Sequence, residues 1–271
     1  MPDMQYNDRL LLPQPDALSA EHSERVAAFV RARIEDAGGS ISFAEFMHEA
    51  LYAPGLGYYA AGALKFGAGG DFVTAPEVSP LFGRVIARQC AEVLGNVDGG
   101  TVLEFGAGSG RLARDLLQAL AELDALPERY EILEVSAELQ QRQASFLQAQ
   151  LPELASRVVW LERPPQNHRG SVIANEVLDA LPVERFRRGA DDVKQLSVTA
   201  DGEGFRMIEA PAPERLAKAV LAIEDQLDGR FAPGFTSEIS PGRPGWIAEL
   251  GDALQHGLAL IFDYGIARRE Y

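Results

Sequence analysis

Apolar positions along this chain recur with two different periods, and the switch between them predicts the architecture. After Ser19, the residues Val26, Phe29, Val30 and Ile34 share one helical face until Gly38-Gly39 stops the run. Ser42-Phe43-Ala44-Glu45 reads as a capping box that opens a second helix through Leu51, ended by Pro54-Gly55. A polar, Gly-rich loop over 66–77 follows, and its length and its Asp, Thr and aromatic content favour a site loop over a connector. A third helix is expected over 79–94. Beyond it, short apolar runs at 102–105, 130–135, 157–161 and 171–175 are strands. Helical patterns at 111–120 and 137–150 separate the first three of them. Such alternation means a parallel sheet covered by helices on both faces. Residues 193–210 break the rhythm with a predicted antiparallel hairpin, 194–199 and 205–208, split by Asp201-Gly202. Two helices, 213–227 and 245–256, then lead to a fifth strand at 258–262. The expected organisation is a helical N-terminal cap over 1–98 and an α/β core over 99–271, with 187–256 inserted as a lid. Tyr271 follows the fifth strand with no closing element, so a truncated or partly ordered chain is expected.

The chemistry centres on Val102-Leu103-Glu104-Phe105-Gly106-Ala107-Gly108-Ser109-Gly110-Arg111-Leu112. An apolar strand carrying a carboxylate turns through three glycines at every second position and opens a helix. Glycines let backbone N–H groups approach a ligand, and the helix N-terminus favours negative charge, so a nucleotide-like ligand fits. The nicotinamide fingerprint wants a third small residue where Arg111 stands. The E-x-G-x-G-x-G spacing instead resembles motif I of the class I methyltransferases, which use S-adenosylmethionine (SAM). That resemblance implies that Glu104, Gly106, Gly108 and Gly110 belong to the cofactor site, with the acid helping to hold the cationic methionine end.

Composition narrows the partners. A formal charge of −15 and a pI near 4.7 argue against binding a phosphate backbone, so no nucleic acid is expected. A single cysteine, Cys90, excludes a disulfide framework, and four scattered histidines give no metal-ligand spacing. No apolar run reaches the roughly 20 residues of a membrane span. Residues 1–12 lack a secretory pattern, and a cytoplasmic protein is expected.

The carboxyl ends of the other strands supply the remaining candidates. Glu134 lies 28 residues after Gly106, where an acid can take ribose hydroxyls. Trp160 ends the third strand, and its ring either flanks an adenine or packs in the core. Asn175, Glu176 and Asp179 at the fourth strand face the methyl-donor region. The D/N-P-P-Y/F of amide- and DNA-methylating enzymes is absent there. Two carboxylates three residues apart suit a guanidinium fork, although an acid pair in a first helical turn would show the same letters. Glu238 and Asp263 are lesser candidates.

With these residues in view, the chain resembles the MidA family of SAM-dependent methyltransferases. Carrying the likeness are Phe46-Met47, Leu51-Tyr52, Gly57-Tyr58-Tyr59 and Gly70-Asp71-Phe72-Val73-Thr74-Ala75-Pro76-Glu77-Val78-Ser79. The motif I stretch, Asn175-Glu176-Val177-Leu178-Asp179-Ala180-Leu181-Pro182 and Asp263-Tyr264-Gly265 complete it. The resemblance implies a class I, Rossmann-like doubly wound sheet with the helical cap and the hairpin-and-helix lid. It also implies that Asp71, Phe72 and Thr74 close over SAM and that Glu176 and Asp179, with Asn175, serve catalysis. The acceptor it implies is an arginine of a protein, by family likeness a respiratory complex I-type subunit; homodimer formation is compatible with it. Arg84, where many members have Glu, and Ala107, where mitochondrial members have Pro, depart from the pattern, and the family's C-terminal region is absent. A SAM-binding assembly factor without turnover is the alternative, and a dinucleotide oxidoreductase is disfavoured by Arg111 and the 28-residue acid spacing.

Overall fold

In the computed structural model, residues 15–60, 74–202, 204–227 and 229–265 are described. Asp16 opens α1 (Ala17–Asp36) by accepting from the Leu18 and Ser19 amides, both at 2.9 Å. After the two-residue strand β1 (Ile41–Ser42), the expected capping box forms. The Glu45 amide donates to Ser42 Oγ at 3.1 Å, the Ser42 amide donates to Glu45 Oε2 at 2.9 Å, and α2 (Phe43–Tyr52) follows. A one-turn helix, α3 (Ala75–Val78), precedes α4 (Leu81–Leu94).

The α/β rhythm then appears as read. It comprises β2 (Thr101–Phe105), α5 (Arg111–Glu122), β3 (Tyr130–Leu133), α6 (Ala137–Gln150), β4 (Val158–Leu161) and β5 (His168–Asn175). Three further strands, β6 (Glu184–Arg188), β7 (Val193–Asp201) and β8 (Gly204–Pro211), lead to α7 (Glu214–Gln226). The strand β9 (Thr236–Ile239), the helix α8 (Arg243–Ala253) and the strand β10 (Leu254–Phe262) close the series. One sheet is wholly parallel in the order β10-β5-β2-β3-β4. Chain order reverses on either side of β2, and the carboxyl ends of β2 and β5 flank the crevice where such sheets bind ligands. Leu112, Leu116, Leu117 and Leu120 of α5 are buried against this sheet together with Ile86 and Cys90 of α4. Full burial of one such leucine contributes about 2 kcal/mol, so α5 is firmly anchored where it leaves the glycine turn. On the opposite face, Leu103, Phe105 and Val172 pack with Leu250 of α8.

The region expected as a hairpin with helices contains more β-structure than its pattern predicts. The hairpin β7–β8 forms, but β6, β9 and β1 join it in a five-stranded antiparallel sheet. β6 is Glu-Arg-Phe-Arg-Arg, and its buried positions are Glu184, Phe186 and Arg188. Two of those three are charged, so hydrophobic alternation could not reveal the strand. The β1–β7 pairing, Ile41 with Val198 and Ser42 with Ser197, ties the N-terminal region to this second sheet. α2 therefore sits over the crevice of the first.

Candidate functional site

The glycine turn has a backbone reason for each of its glycines. Gly106, Gly108 and Gly110 have φ of +61°, +54° and +83°, a left-handed region that residues with a Cβ enter at a cost of about 1–2 kcal/mol each. Gly110 is also the N-cap of α5. Just before the turn, the Glu104 carboxyl lies buried and accepts the Tyr130 hydroxyl at 2.7 Å. Burial pushes its pKa up to about 7, the Tyr130 bond pulls it partly back, and the nearby Glu134 charge adds a further push upward.

Glu134 stands directly after β3, its two oxygens fixed by different partners. Oε1 accepts the Ser136 amide at 3.0 Å, and Oε2 accepts Gln143 Nε2 at 3.1 Å. Gln143, fully buried on α6, also donates to the Gly108 carbonyl at 3.0 Å and accepts the Trp160 indole N–H at 2.8 Å. Trp160 thus reaches Gln143 and packs beside the core, and it is not among the described residues lining the crevice. Gln143 gave no signal in the sequence, because one polar residue on an amphipathic helix looks solvent-facing.

A cavity of about 540 Å³ opens along the turn and passes both acids, a size usual for a small-molecule site. Beside Glu134 its wall is apolar, formed by Val135, Leu139 and Pro164. Asn175, Glu176 and Asp179, after the neighbouring strand β5, line the same cavity, as do Tyr52 and Tyr59 from the N-terminal region. Thr74, the N-cap of α3, also lines it, whereas Asp71 and Phe72 lie outside the described residues.

Glu176 adopts φ +53°, a strained conformation for a residue with a side chain and one that concentrates at functional sites. Its amide donates to the Phe262 carbonyl at 2.8 Å. Asp263 supports the same turn from outside, its Oδ2 accepting the amides of Leu178 at 2.7 Å and Asp179 at 3.3 Å. Desolvation and the Asp179 charge push the Glu176 carboxyl above its ordinary range. Desolvation and the Asp263 charge do the same to Asp179. The Tyr52 hydroxyl donates to the Ala180 carbonyl at 2.8 Å, with its ring 5.5 Å from that of Tyr59. Burial raises the Tyr59 pKa, and the Asp179 and Glu176 charges raise it further. Glu238 lies in β9, paired with Arg185 in the other sheet and away from the cavity.

Glu77, quoted in the family signature but given no role there, reaches the turn from α3. It accepts the Ser109 hydroxyl and ion-pairs with Arg111 Nε at 3.0 Å, its side chain almost wholly buried.

The fit to SAM rests on this donor set. A buried acid at the strand end can meet an ammonium, a braced acid beside an apolar wall can meet an adenosine, and the end of the neighbouring strand β5 adds carboxylates. Known proteins bear on it. A family model for S-adenosyl-L-methionine-dependent methyltransferases matches residues 85–271. A Burkholderia thailandensis protein crystallised with S-adenosyl-homocysteine is 40% identical, with a TM-score of 0.88 over 96% of this chain and 67% of that one. The mitochondrial protein arginine methyltransferase NDUFAF7 of Danio rerio is 30% identical over 84% of this chain and 59% of its own length. The Drosophila melanogaster homologue is 33% identical over 93% and 63%. The chain therefore spans about three fifths of the length of these curated relatives. Their names place them in mitochondria, which overturns the cytoplasmic expectation. That expectation rested on the lack of a secretory pattern, which excludes one route and does not discriminate among the remaining compartments. Among the described residues, no helix is long and apolar enough to cross a membrane. With a family model covering residues 85–271 and the cofactor product bound in a 40%-identical structure, this chain belongs to the MidA-like family of SAM-dependent methyltransferases.

Proposed function

We propose that this chain methylates the guanidinium of an arginine in a protein acceptor. The observation that carries the proposal is the sharing of one cavity by the glycine turn and by Glu176 and Asp179, with two tyrosines in the same lining. Relatives named as protein arginine methyltransferases support the same acceptor.

When bound, SAM supplies an electrophilic methyl group on a sulfonium. Glu104 meets the ammonium of its methionine end, and Glu134, held by Gln143 and the Ser136 amide, takes the ribose hydroxyls. Glu176 and Asp179 present oxygens to a planar cationic fork and orient one nitrogen toward the methyl. A nitrogen–carbon bond forms as the carbon–sulfur bond breaks, and the acceptor nitrogen releases a proton. A carboxylate with a raised pKa, either Glu176 or Asp179, is placed to receive it.

The test is incubation of the protein with methyl-labelled SAM and two peptides differing only in arginine or lysine. Label in the arginine peptide alone is expected. Label in neither peptide, with SAM bound, would favour a binding protein without turnover; label in the lysine peptide would overturn the guanidinium assignment.

A further inference from the structure

The N-terminus of α5 is where a Rossmann-type fold receives a dinucleotide's pyrophosphate, drawn by free amides and the helix dipole. In this chain a carboxylate from elsewhere in the sequence already stands there. Glu77 arrives from α3 and is bound on both sides of the N-cap Gly110, by the Ser109 hydroxyl and by Arg111 Nε at 3.0 Å. Its side chain is only 4% exposed, yet it forms part of the cavity wall. The Ser109 hydroxyl is oriented in turn by the Arg111 amide, which donates to Oγ at 3.4 Å. The Nε edge of Arg111, at the first position of the helix, is thus engaged by an internal anion.

We propose that Glu77 is a specificity-determining residue. It supplies from within the chain the negative charge that the α5 N-terminus and Arg111 attract, so that phosphate-bearing nucleotides are refused and an uncharged nucleoside linked to a cationic sulfonium is admitted. The proposal rests on the cavity being the SAM site. An incoming phosphate would meet a buried like charge and find Arg111 already paired; like charges facing each other in a desolvated site discriminate strongly. Adenosine carries no charge and does not encounter this barrier. Glu104 and Glu134 cannot substitute, because they stand at the ends of β2 and β3 rather than at the helix N-terminus.

Calorimetric titration of the whole protein with S-adenosyl-homocysteine, adenosine and ADP separates the effects. The readout is the ratio of ADP to adenosine affinity, which isolates the phosphates. The wild-type protein is expected to bind S-adenosyl-homocysteine and to prefer adenosine. Glu77→Gln, equal in size and uncharged, should shift the ratio toward ADP by at least about tenfold, since an Arg–phosphate contact is among the strong charge-assisted bonds. Glu77→Asp, which keeps the charge, should leave the ratio at its wild-type value. In Glu77→Gln/Arg111→Ala the gain should disappear. An unchanged ratio in Glu77→Gln, or the same gain in Glu77→Asp, overturns the proposal. S-adenosyl-homocysteine binding certifies the fold of the Gln variant; should it be lost there, Glu77→Ala is measured instead, and loss in both overturns the proposal in favour of a purely structural role. A wild-type protein that binds no S-adenosyl-homocysteine would instead refute the assignment of the cavity.

Discussion

The Tyr130 hydroxyl lies 2.7 Å from Glu104 Oε2, bracing a buried carboxyl whose pKa burial has raised to about 7. This proton has consequences for both stability and binding. Because the folded-state pKa lies above the ordinary value of 4.5, the folded protein holds the proton more tightly than the unfolded chain does. Unliganded stability should therefore fall as pH rises from about 4.5 to about 7 and level off above that. A ligand ammonium needs the ionised carboxylate, so affinity for S-adenosyl-homocysteine should rise over the approach to pH 7 and then flatten. Tyr130→Phe removes a bond that favours the ionised form and should move the inflection upward. Calorimetry from pH 5.5 to 8.5 checks this, and a flat profile in the wild-type protein would sink it.

Glu176 and Glu104 line one cavity from the carboxyl ends of the adjacent strands β5 and β2, and their substitutions should separate binding from chemistry. Glu176→Gln keeps the shape at φ +53° but cannot accept the acceptor's proton or balance its charge. Methyl transfer should fall at least a hundredfold, within the usual contribution of acid–base catalysis, while SAM affinity stays within a few-fold. Equal losses of both would move Glu176 into the cofactor site.

What was legible in the sequence follows from which interactions are local. The capping box at Ser42, the stop at Gly38-Gly39 and the β-α alternation from Val102 to Asn175 are written in neighbouring residues, and each formed as read. The glycine turn is also visible, and its left-handed backbone adds a second reason for the three glycines beside the ligand. Strand β6 is invisible because two of its inward positions are Glu184 and Arg188, whose burial is made tolerable by side-chain partners 11 to 36 residues away. For the same reason the sequence leaves Trp160 between an adenine wall and core packing, because its indole bond to Gln143 is not visible there, and Glu77 has no role until the fold carries it to Arg111. Distant partnerships leave no periodic trace.

Gln143 holds Glu134 and the Gly108 carbonyl with one amide group, so its removal should be felt at the cofactor without touching the acceptor. Gln143→Leu leaves both oxygens short of a donor and the Trp160 N–H without its acceptor. S-adenosyl-homocysteine affinity should drop by roughly tenfold to a hundredfold, the usual range for hydrogen bonds to charged groups. The turnover rate at saturating SAM should stay within a few-fold of wild type. A turnover loss with unchanged affinity would show that Gln143 acts on the acceptor end instead.

The second sheet contains a buried ion pair whose loss should destabilise it without altering the cavity chemistry. Arg188 Nε lies 2.9 Å from Glu224 Oε1, with both side chains under 5% exposed, and Arg188 also donates to the Asp192 carbonyl at 2.6 Å. Glu224 Oε1 takes the Phe231 amide at 2.9 Å as well, so this carboxylate joins β6, α7 and the loop after α7. Glu224→Ala strands a guanidinium in an apolar setting, which typically costs 3–5 kcal/mol, about a third or more of a domain's stability. Replacing both partners together, as in Arg188→Met/Glu224→Leu, removes the stranded charge and should recover most of that loss. Denaturant unfolding of the single and double variants measures both terms. A single variant within 1 kcal/mol of wild type would mean that water reaches Arg188 and that the pair is not buried in solution.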